Sequence, residues 1–290
     1  MSRAGSPTPG LRGARTAVAL CLWSGALLQS AARADPPPAV QWEVLEPGLE
    51  FGTGHAPGSP EARIHLVRID PARFELLLLN RSASPDGVAH TAHEWAQLNG
   101  LAAAINASLY QADHSTSVAL MKSRTHTNNP RLSSHNAVLL FDRLENTVPP
   151  VQIVDRTCRD LATVRGRYAA MVQSIRMISC TGANVWSEQP ENRWSTAAVG
   201  MDQLGRLLFI HVRSPLSTHD LIDALLALPV GLREAMYVEG GPEAQLYVSS
   251  GGREFEFVGS QGSSFAGIEN TAALPIPNVL GVRRIRPSGS

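Results

Sequence analysis

The chain has 290 residues with 25 basic and 25 acidic side chains, so its formal net charge is zero. This balance provides no electrostatic attraction to nucleic acid or to an anionic membrane surface, and we expect neither as a partner. Hydrophobic residues make up 43% of the chain, enough for a substantial core, and no internal run is long enough to span a bilayer. We expect one large domain, with or without insertions.

Residues 1–34 have the organisation of a signal peptide. Arg12 and Arg15 provide the positive charge, an apolar run follows them, and Ala-Arg-Ala (32–34) is a small-residue cleavage site. An uncleaved membrane anchor is the alternative, but the apolar run is short. We therefore predict a periplasmic or secreted protein whose mature part is a single domain, residues 35–290, without stable membrane insertion.

Export changes the interpretation of the cysteines. Cys21 lies in the predicted signal peptide, which leaves Cys158 and Cys180 in the mature chain. Because an even pair of cysteines in an oxidising compartment is typical of a disulfide, we predict one bridge that contributes about 3 kcal/mol. A catalytic thiol is the alternative, but neither cysteine lies in a recognisable nucleophile motif.

The first half of the mature chain predicts four strands and one helix. In chain order these are strands at 64–69 and 73–79, a helix at 91–100, and strands at 101–106 and 137–141. Thr91 and Glu94 form a capping box at the start of the helix, and Trp95 and Leu98 are predicted to share one face. The polar tract 110–136 is long for an irregular segment of a compact domain, which favours a functional role.

The second half repeats this scheme. Its predicted strands are 206–212, 235–239 and a last pair around 246–248 and 255–257. Ser217 or Thr218 caps the helix between the first two strands, and Pro229 ends it. The predicted apolar face of this helix consists of Leu221, Ile222, Leu225 and Leu226. Together the two halves predict an α+β (mixed α/β) fold with a largely β core and a few packed helices.

In each half an apolar strand ends on a polar side chain, Asn106 in the first and Glu239 in the second. Because continuous apolar strands are buried on both faces, only their ends can reach a ligand. We therefore expect Asn106 and Glu239 to line one crevice. Gly240-Gly241-Pro242 follows directly and permits a sharp turn with no side chain in front of the carboxylate, although the same residues suit an ordinary hairpin corner.

Four blocks of the sequence resemble those of the phosphodiester glycosidase family, and they occur in the family's order. They are AAINASLY (103–110), MVQSIRMISCTG (171–182), NRWSTAAVGMDQLGRLLFIHV (192–212) and YVEGGPEAQLYV (237–248). The resemblance extends over roughly residues 64–285, and the order of the blocks is more specific than any single block. With the signal peptide, it points to the exported bacterial branch of the family.

The sequence departs from the family pattern in several places. Glu239 stands where the family usually has aspartate, so its carboxylate reaches one methylene further. The other departures are Ala107-Ser108 after Asn106, Ile175-Arg176 in place of Gly-Pro, and Pro242-Glu243 in place of a serine after the diglycine. These differences affect the expected substrate and catalysis more than the expected fold.

The resemblance implies hydrolysis of a glycosyl phosphodiester or of a sugar linkage in an envelope polysaccharide or exopolysaccharide. Such chemistry needs a carboxylate that activates water or stabilises an oxocarbenium ion, and donors for an anionic phosphodiester. Glu239 is the predicted catalytic carboxylate, with Asp113 or Glu243 as its partner. The predicted substrate-binding residues are Asn106, Tyr110, Lys122, Arg124, His135, Gln173, Ser174, Arg193, Gly240 and Gly241.

The predicted roles follow from side-chain chemistry. The residues proposed to neutralise phosphate charge are Arg193, Lys122 and Arg124. Those proposed to orient sugar or phosphate oxygens by hydrogen bonds are Asn106, Gln173 and Ser174. Those proposed to transfer protons are His114 and His135.

Each assignment has a structural alternative that the sequence leaves open. Glu239 can cap a turn, Asn106 can satisfy neighbouring backbone groups, and Arg193 can form a surface ion pair. For the other polar candidates the alternative is a strand-end hydrogen bond or plain solvent exposure: Gln173, Ser174, Glu243, Asp113, His114, Lys122, Arg124 and His135.

No cofactor is predicted, and calcium or magnesium held by carboxylates stays open. His90, His93 and Glu94 lie within one turn, but their order is not the His-Glu-x-x-His of zinc peptidases, and Glu94 already has the capping role. Two functions remain. One is an exported glycosidase-like hydrolase acting on a carbohydrate or glycosyl-phosphate ligand. The other is a non-catalytic carbohydrate-binding or envelope-assembly protein that uses the same crevice.

Overall fold

Strands dominate the computed structural model of the protein, which describes residues 39–260 and 272–286. The predicted signal peptide lies outside the described residues. Within them, no helix has both the length and the apolar character needed to cross a membrane.

The described residues form sixteen strands and three α-helices. The strands are β1 (Val40–Glu46), β2 (Leu49–Ala56), β3 (Ser59–Ile69), β4 (Phe74–Asn80), β5 (Ala103–Asn106), β6 (Met121–Lys122), β7 (Thr127–Asn129), β8 (Ala137–Arg143), β9 (Val151–Asp155), β10 (Tyr168–Ile178), β11 (Arg193–Asp202), β12 (Leu207–Ser217), β13 (Leu232–Gly240), β14 (Gln245–Ser250), β15 (Arg253–Val258) and β16 (Asn278–Arg284). The helices are α1 (Ala92–Asn99), α2 (Ala162–Arg165) and α3 (Thr218–Ala227).

Two antiparallel sheets organise these strands. The larger sheet runs β1-β2-β3-β12-β11-β13-β10-β6-β7, with β8 and β9 attached through β10, and the smaller runs β15-β14-β5-β16-β4. One apolar cluster contains side chains of both sheets, such as Phe51 and Phe209 from the larger and Leu246 and Leu280 from the smaller. The sheets therefore pack face to face, which confirms the largely β core.

The longer helices cover the outer faces of the two sheets. Helix α1 packs against the smaller sheet, and α3 packs against the larger one. Thr91 forms the predicted capping box with Glu94, and Ser217 rather than Thr218 is the N-cap of α3. Both helix starts were thus visible in the local sequence, because capping depends on residues only three positions apart.

Two details of the helix predictions are wrong. Leu98 is 64% exposed and does not share the buried face of Trp95, since the buried stripe of α1 runs through Ala92 and Ala96 instead. In α3 the predicted apolar face is buried except for Leu226, which is 37% exposed. Each exposed leucine lies at the edge of its helical stripe, where a short helix has no further neighbour to cover it.

The predicted disulfide between Cys158 and Cys180 is confirmed. It joins the segment after β9 to the end of β10. Next to it, Arg176 donates to both carboxylate oxygens of Asp155 at 2.8 Å, and the Asp155 side chain is only 2% exposed. Arg176, a departure from the family pattern, therefore has a structural role in neutralising a buried carboxylate.

Candidate active site

Glu239 lies near the end of β13, a strand in the middle of the larger sheet. Strand β13 is paired with β11 on one side and β10 on the other. Its register against β11 is irregular, because Ala197 pairs with Glu239 whereas Ala198 pairs with Tyr237. Such a β-bulge changes the direction of the side chains that follow it, and bulges are frequent next to active sites.

Burial favours the protonated form of the Glu239 carboxyl. The residue is 7% exposed, and its Oε1 accepts one hydrogen bond, from the backbone N–H of Gly240 at 3.0 Å. Burial raises the pKa of Glu239 from 4.5 to about 8; the charge of Glu243 acts in the same direction, and the Gly240 hydrogen bond opposes it. A carboxylic acid that keeps its proton at pH 7 can donate that proton to a substrate.

Two tyrosines adjoin these carboxyl groups. Burial raises the pKa of Tyr110 to about 12, and the charges of Glu239 and Glu243 contribute to the increase. The pKa of Tyr237 is also raised, first by burial and then by the same two carboxylates. Both phenols therefore remain hydrogen-bond donors at physiological pH. We call Tyr110, Tyr237, Glu239 and Glu243 the Glu239 group.

The two glycines after Glu239 are needed by this packing. A Cβ atom on Gly240 would lie 1.8 Å from the hydroxyl oxygen of Tyr237 and 2.9 Å from Cδ1 of Trp194. Gly241 has a φ of +67°, in the left-handed region that favours glycine, and begins a single 3-10 turn that contains Glu243. Gly240 thus lets the backbone pass beneath Tyr237, and Gly241 turns the chain so that Glu243 adjoins Glu239.

Asn106 binds the backbone immediately after that turn. Its Nδ2 donates to the carbonyl oxygen of Glu243 at 2.9 Å, and its Oδ1 accepts from the N–H of Gln245 at 2.8 Å. The side chain is 2% exposed. Both ends of the amide are therefore used to position the segment that carries Glu243, as the structural alternative anticipated.

Gln173 and Ser174 have similar bracing contacts. The Gln173 side-chain amide donates to the carbonyl oxygens of Ser133 and His135, at 3.1 and 2.6 Å, and accepts from the N–H of Ser133 at 2.9 Å. Ser174 donates its hydroxyl to the carbonyl oxygen of Tyr237. Both residues are fully buried, so they hold the polar loop and β13 in place around the Glu239 group.

The structure places Asp113 in a turn of its own. Its carboxylate accepts hydrogen bonds from the N–H groups of Ser115 and Thr116, at 3.0 and 2.9 Å, and from the Thr116 hydroxyl at 2.5 Å. These bonds, with that hydroxyl as the largest cause, lower the pKa of Asp113. No hydrogen bond or charge interaction in the described residues joins Asp113 to Glu239, so Glu243 is the carboxylate beside it.

Two of the three basic candidates have partners away from Glu239, and the third lies in a short strand. Arg124 binds Asp142 with two hydrogen bonds of 3.0 and 2.5 Å, and exposed Arg193 donates to the carbonyl oxygen of Pro190 at 2.9 Å. Lys122 is half-buried in β6, opposite Met171 of β10. Within the described part of the chain, the charges acting on Tyr110, Tyr237 and Glu239 are those of Glu239 and Glu243.

The two histidine candidates lie in the polar loop. The ring of His114 is 5.5 Å from that of Tyr110, which places it beside the Glu239 group. His135 is half-buried, and burial lowers its pKa. Its carbonyl oxygen binds Gln173, so its backbone, more than its ring, has a defined partner.

Three aromatic residues of this site were not predicted from the sequence. Tyr237 is two positions before Glu239 in β13, and the period-two alternation of a strand was a signal that could have identified it. Trp194 adjoins the predicted Arg193, and Trp186 lies in an irregular loop whose position no local pattern predicts. The ring centroids of Trp186 and Tyr237 are 5.6 Å apart.

Metal ligands do not converge on the Glu239 group. Within the described ranges, the cluster with metal-ligand geometry consists of Asp155, Cys158 and Cys180. Its two cysteines form the disulfide, and the carboxylate binds Arg176, so this cluster has no ligand left for an ion.

Comparisons with known proteins agree with the resemblance seen in the sequence. The sequence model of the family described as phosphodiester glycosidase matches residues 99–283. A search among curated proteins gives no match. One similar solved structure is a hypothetical protein from Synechocystis, with 14% identity and a TM-score of 0.57 over 88% of this chain and 65% of that protein, which is less than two thirds of its length.

A second similar structure is the zebrafish N-acetylglucosamine-1-phosphodiester α-N-acetylglucosaminidase catalytic domain, auto-inhibited by its pro-peptide. It shares 11% identity and a TM-score of 0.57 over 86% of this chain and 85% of that one. At these identities the structural likeness shows a shared fold. The family match, in contrast, spans more than half of the sequence. The chain therefore belongs to the phosphodiester glycosidase family.

Proposed function

We propose that the protein is an exported hydrolase that cleaves a glycosyl linkage, with Glu239 as the general acid. Family membership supports a glycosidase-like hydrolase, and the family acts on glycosyl phosphates. The observation that carries the proposal is a buried carboxyl group whose pKa is raised to about 8 beside a second carboxylate. The disulfide supports export, because such bridges persist in oxidising compartments.

The reaction needs one proton and one negative charge in defined places. Glu239 donates its proton to the oxygen of the leaving group as the bond to the anomeric carbon breaks. Glu243 supplies the second carboxylate, which either activates a water molecule or stabilises the positive charge that develops on the sugar ring. The phenols of Tyr110 and Tyr237 donate hydrogen bonds to sugar oxygens, and their raised pKa values keep both protons available at neutral pH.

Two substrate classes fit this chemistry: a glycosyl phosphodiester, and a sugar linkage of an envelope polysaccharide or exopolysaccharide. The rival proposal is a carbohydrate-binding or envelope-assembly protein that uses the same crevice without turnover. The hydrogen bonds of Asn106 and Gln173 to backbone groups are compatible with either, because they shape the crevice and do not take part in chemistry.

The experiment uses the mature protein, residues 35–290, with its disulfide intact. The parent, Glu239→Gln, Glu243→Gln and the control Glu61→Gln, an exposed glutamate of β3, are incubated with N-acetylglucosamine-1-phosphodiesters and envelope glycans. Sugar release is followed by mass spectrometry. We expect release by the parent and the control, and a loss of about 10²- to 10⁴-fold in Glu239→Gln, the usual contribution of a general acid. Absence of release by the parent, with glycan binding retained, would establish the rival.

A further inference from the structure

Three aromatic side chains extend from the Glu239 group toward the surface. Tyr237 contacts Trp186 with ring centroids 5.6 Å apart and planes tilted by 39°. Trp194 and the hydroxyl of Tyr237 both approach Gly240. Trp186 and Trp194 are partly exposed, and both pack against the apolar cluster beneath α3. We call Trp186, Trp194 and Tyr237 the aromatic wall.

Trp186 is fixed in place although its loop has no regular structure. The N–H of Trp186 donates to Oδ1 of Asn184 at 3.0 Å, and its carbonyl oxygen accepts from Nδ1 of His219 at 2.7 Å. Asn184 in turn donates to Asp223 of α3 at 2.8 Å. The disulfide at Cys180 anchors the start of the same loop. These contacts fix the backbone of Trp186, and its ring packs against Tyr237, which reduces the ordering cost of binding.

We infer that the aromatic wall is a stacking subsite for an uncharged pyranose ring of the substrate. A pyranose has an apolar face of C–H groups and a polar rim of hydroxyls, so an aromatic face can pack against the one while nearby polar groups bind the other. The polar groups available beside the wall are the carboxyls of Glu239 and Glu243 and the hydroxyl of Tyr110. This inference rests on the proposed function, because it assigns the ligand of the same site.

A buried hydroxyl next to the wall supports this assignment. Thr196 is 1% exposed and lies directly opposite Gly240 in the pairing of β11 with β13. Its Oγ1 has no hydrogen-bond partner among the residues that the structure describes. Unpaired buried polar atoms are rare in native proteins, so this hydroxyl marks a place beside the wall where a polar partner is missing.

The charges of the site indicate which ring binds there. The negative charge of Glu243 acts on Tyr110, Tyr237 and Glu239, so an anionic sugar or a phosphate against the wall would be repelled. An uncharged hexose or N-acetylhexosamine meets no such repulsion. If the substrate carries phosphate, that phosphate lies away from the wall.

Binding and turnover test the subsite separately. Glu239→Gln and the double variant that adds Trp186→Ala are titrated with uncharged oligosaccharides of N-acetylglucosamine, glucose and mannose, and binding is followed by tryptophan fluorescence and calorimetry. We expect Trp186→Ala to weaken binding of the best ligand about tenfold, and Trp186→Phe to restore most of it, since phenylalanine keeps a stacking face. Where the parent has turnover, KM should rise while kcat changes little.

Trp42→Ala is the matched control, because Trp42 is partly exposed on the same sheet but is covered by the Arg68 guanidinium at 3.8 Å. It should leave binding unchanged, and thermal unfolding monitors the integrity of every variant. Binding by Trp186→Ala within twofold of the parent, or no saturable binding of any sugar by the parent, would overturn the subsite. If Trp186→Ala weakens binding but the parent has no turnover, the subsite is supported and the hydrolase is refuted. If the parent has turnover that Trp186→Ala does not change, the hydrolase is supported and the subsite is refuted. If Trp186→Ala does not fold, Trp186→Leu, which fills more of the space but has no aromatic face, carries the same comparison.

Discussion

Replacing Glu239 by glutamine tests whether this carboxyl is protonated in the folded protein. Its pKa is raised from 4.5 to about 8, mainly by burial. Between these two pH values the folded protein holds a proton on Glu239 that the unfolded chain has lost. The free energy of unfolding of the parent therefore falls as pH rises through this range, whereas Glu239 contributes no pH dependence well below pH 4.5. The slope approaches about 1.36 kcal/mol per pH unit, which gives about 2–3 kcal/mol between pH 5 and pH 7. Glutamine does not titrate, so the variant escapes this loss.

The assay is urea unfolding of the parent and Glu239→Gln at pH 5, 6, 7 and 8, with the disulfide intact. The quantity of interest is the difference between their free energies of unfolding, because titrations common to both proteins cancel. We expect this difference to shift by about 2–3 kcal/mol in favour of the variant from pH 5 to pH 7. The exposed control Glu61→Gln should show no such trend. A difference that stays constant across this range would mean that Glu239 ionises normally, and its role as a general acid would be refuted.

Four further predictions follow from the same geometry. Turnover should decline above about pH 8 as Glu239 loses its proton, and a kcat profile from pH 5 to 10 without an alkaline limb would contradict this assignment. Glu239→Gln should lose less activity on an aryl glycoside, whose leaving group needs no proton, than on a sugar linkage, which paired kinetics would measure. Gly240→Ala should destabilise the folded protein by about 1–3 kcal/mol, because the added Cβ would meet the Tyr237 hydroxyl. Gly166→Ala should not, because a Cβ there has no atom within 4 Å, and equal melting temperatures of the two variants would contradict this prediction. Replacing Cys158 and Cys180 by serine should lower the free energy of unfolding in urea by about 3 kcal/mol. It should also raise KM, because the Trp186 loop loses its anchor. An unchanged KM would show that the disulfide stabilises the fold without positioning this loop.

Local patterns predicted the parts of the fold that depend on neighbouring residues. The cap at Thr91, the strand that ends at Asn106 and the strand that ends at Glu239 all follow from patterns within a few positions, and the structure places them as expected. The disulfide was predictable because removal of the predicted signal peptide would leave two cysteines. The irregular register at Ala197 was not, since a bulge depends on the partner strand.

The partners of the polar side chains could not be predicted from the sequence. Arg124 fitted a phosphate ligand by its chemistry, yet the fold brings it to Asp142, 18 positions away. Gln173 fitted a ligand equally well, but it meets the backbone of a loop 40 positions earlier. Trp186 had no pattern at all, because its place beside Tyr237 comes from contacts with α3. In each case the chemistry of the residue was evident, whereas its location depended on long-range packing.

The departures from the family pattern together favour one of the two substrate classes. Glu243 occupies the position of a family serine, and its charge is one reason for the raised pKa of Glu239. A protonated acid is most useful when the leaving group is a sugar hydroxyl, whose alkoxide is a poor leaving group, and least useful when it is a phosphate monoester, which departs readily as an anion. A site that adds a carboxylate and keeps its acid protonated is therefore better matched to a linkage between sugars than to a glycosyl phosphodiester. Replacing Glu243 with serine, the family residue, should lower the pKa of Glu239 and shift the relative rates toward the phosphodiester.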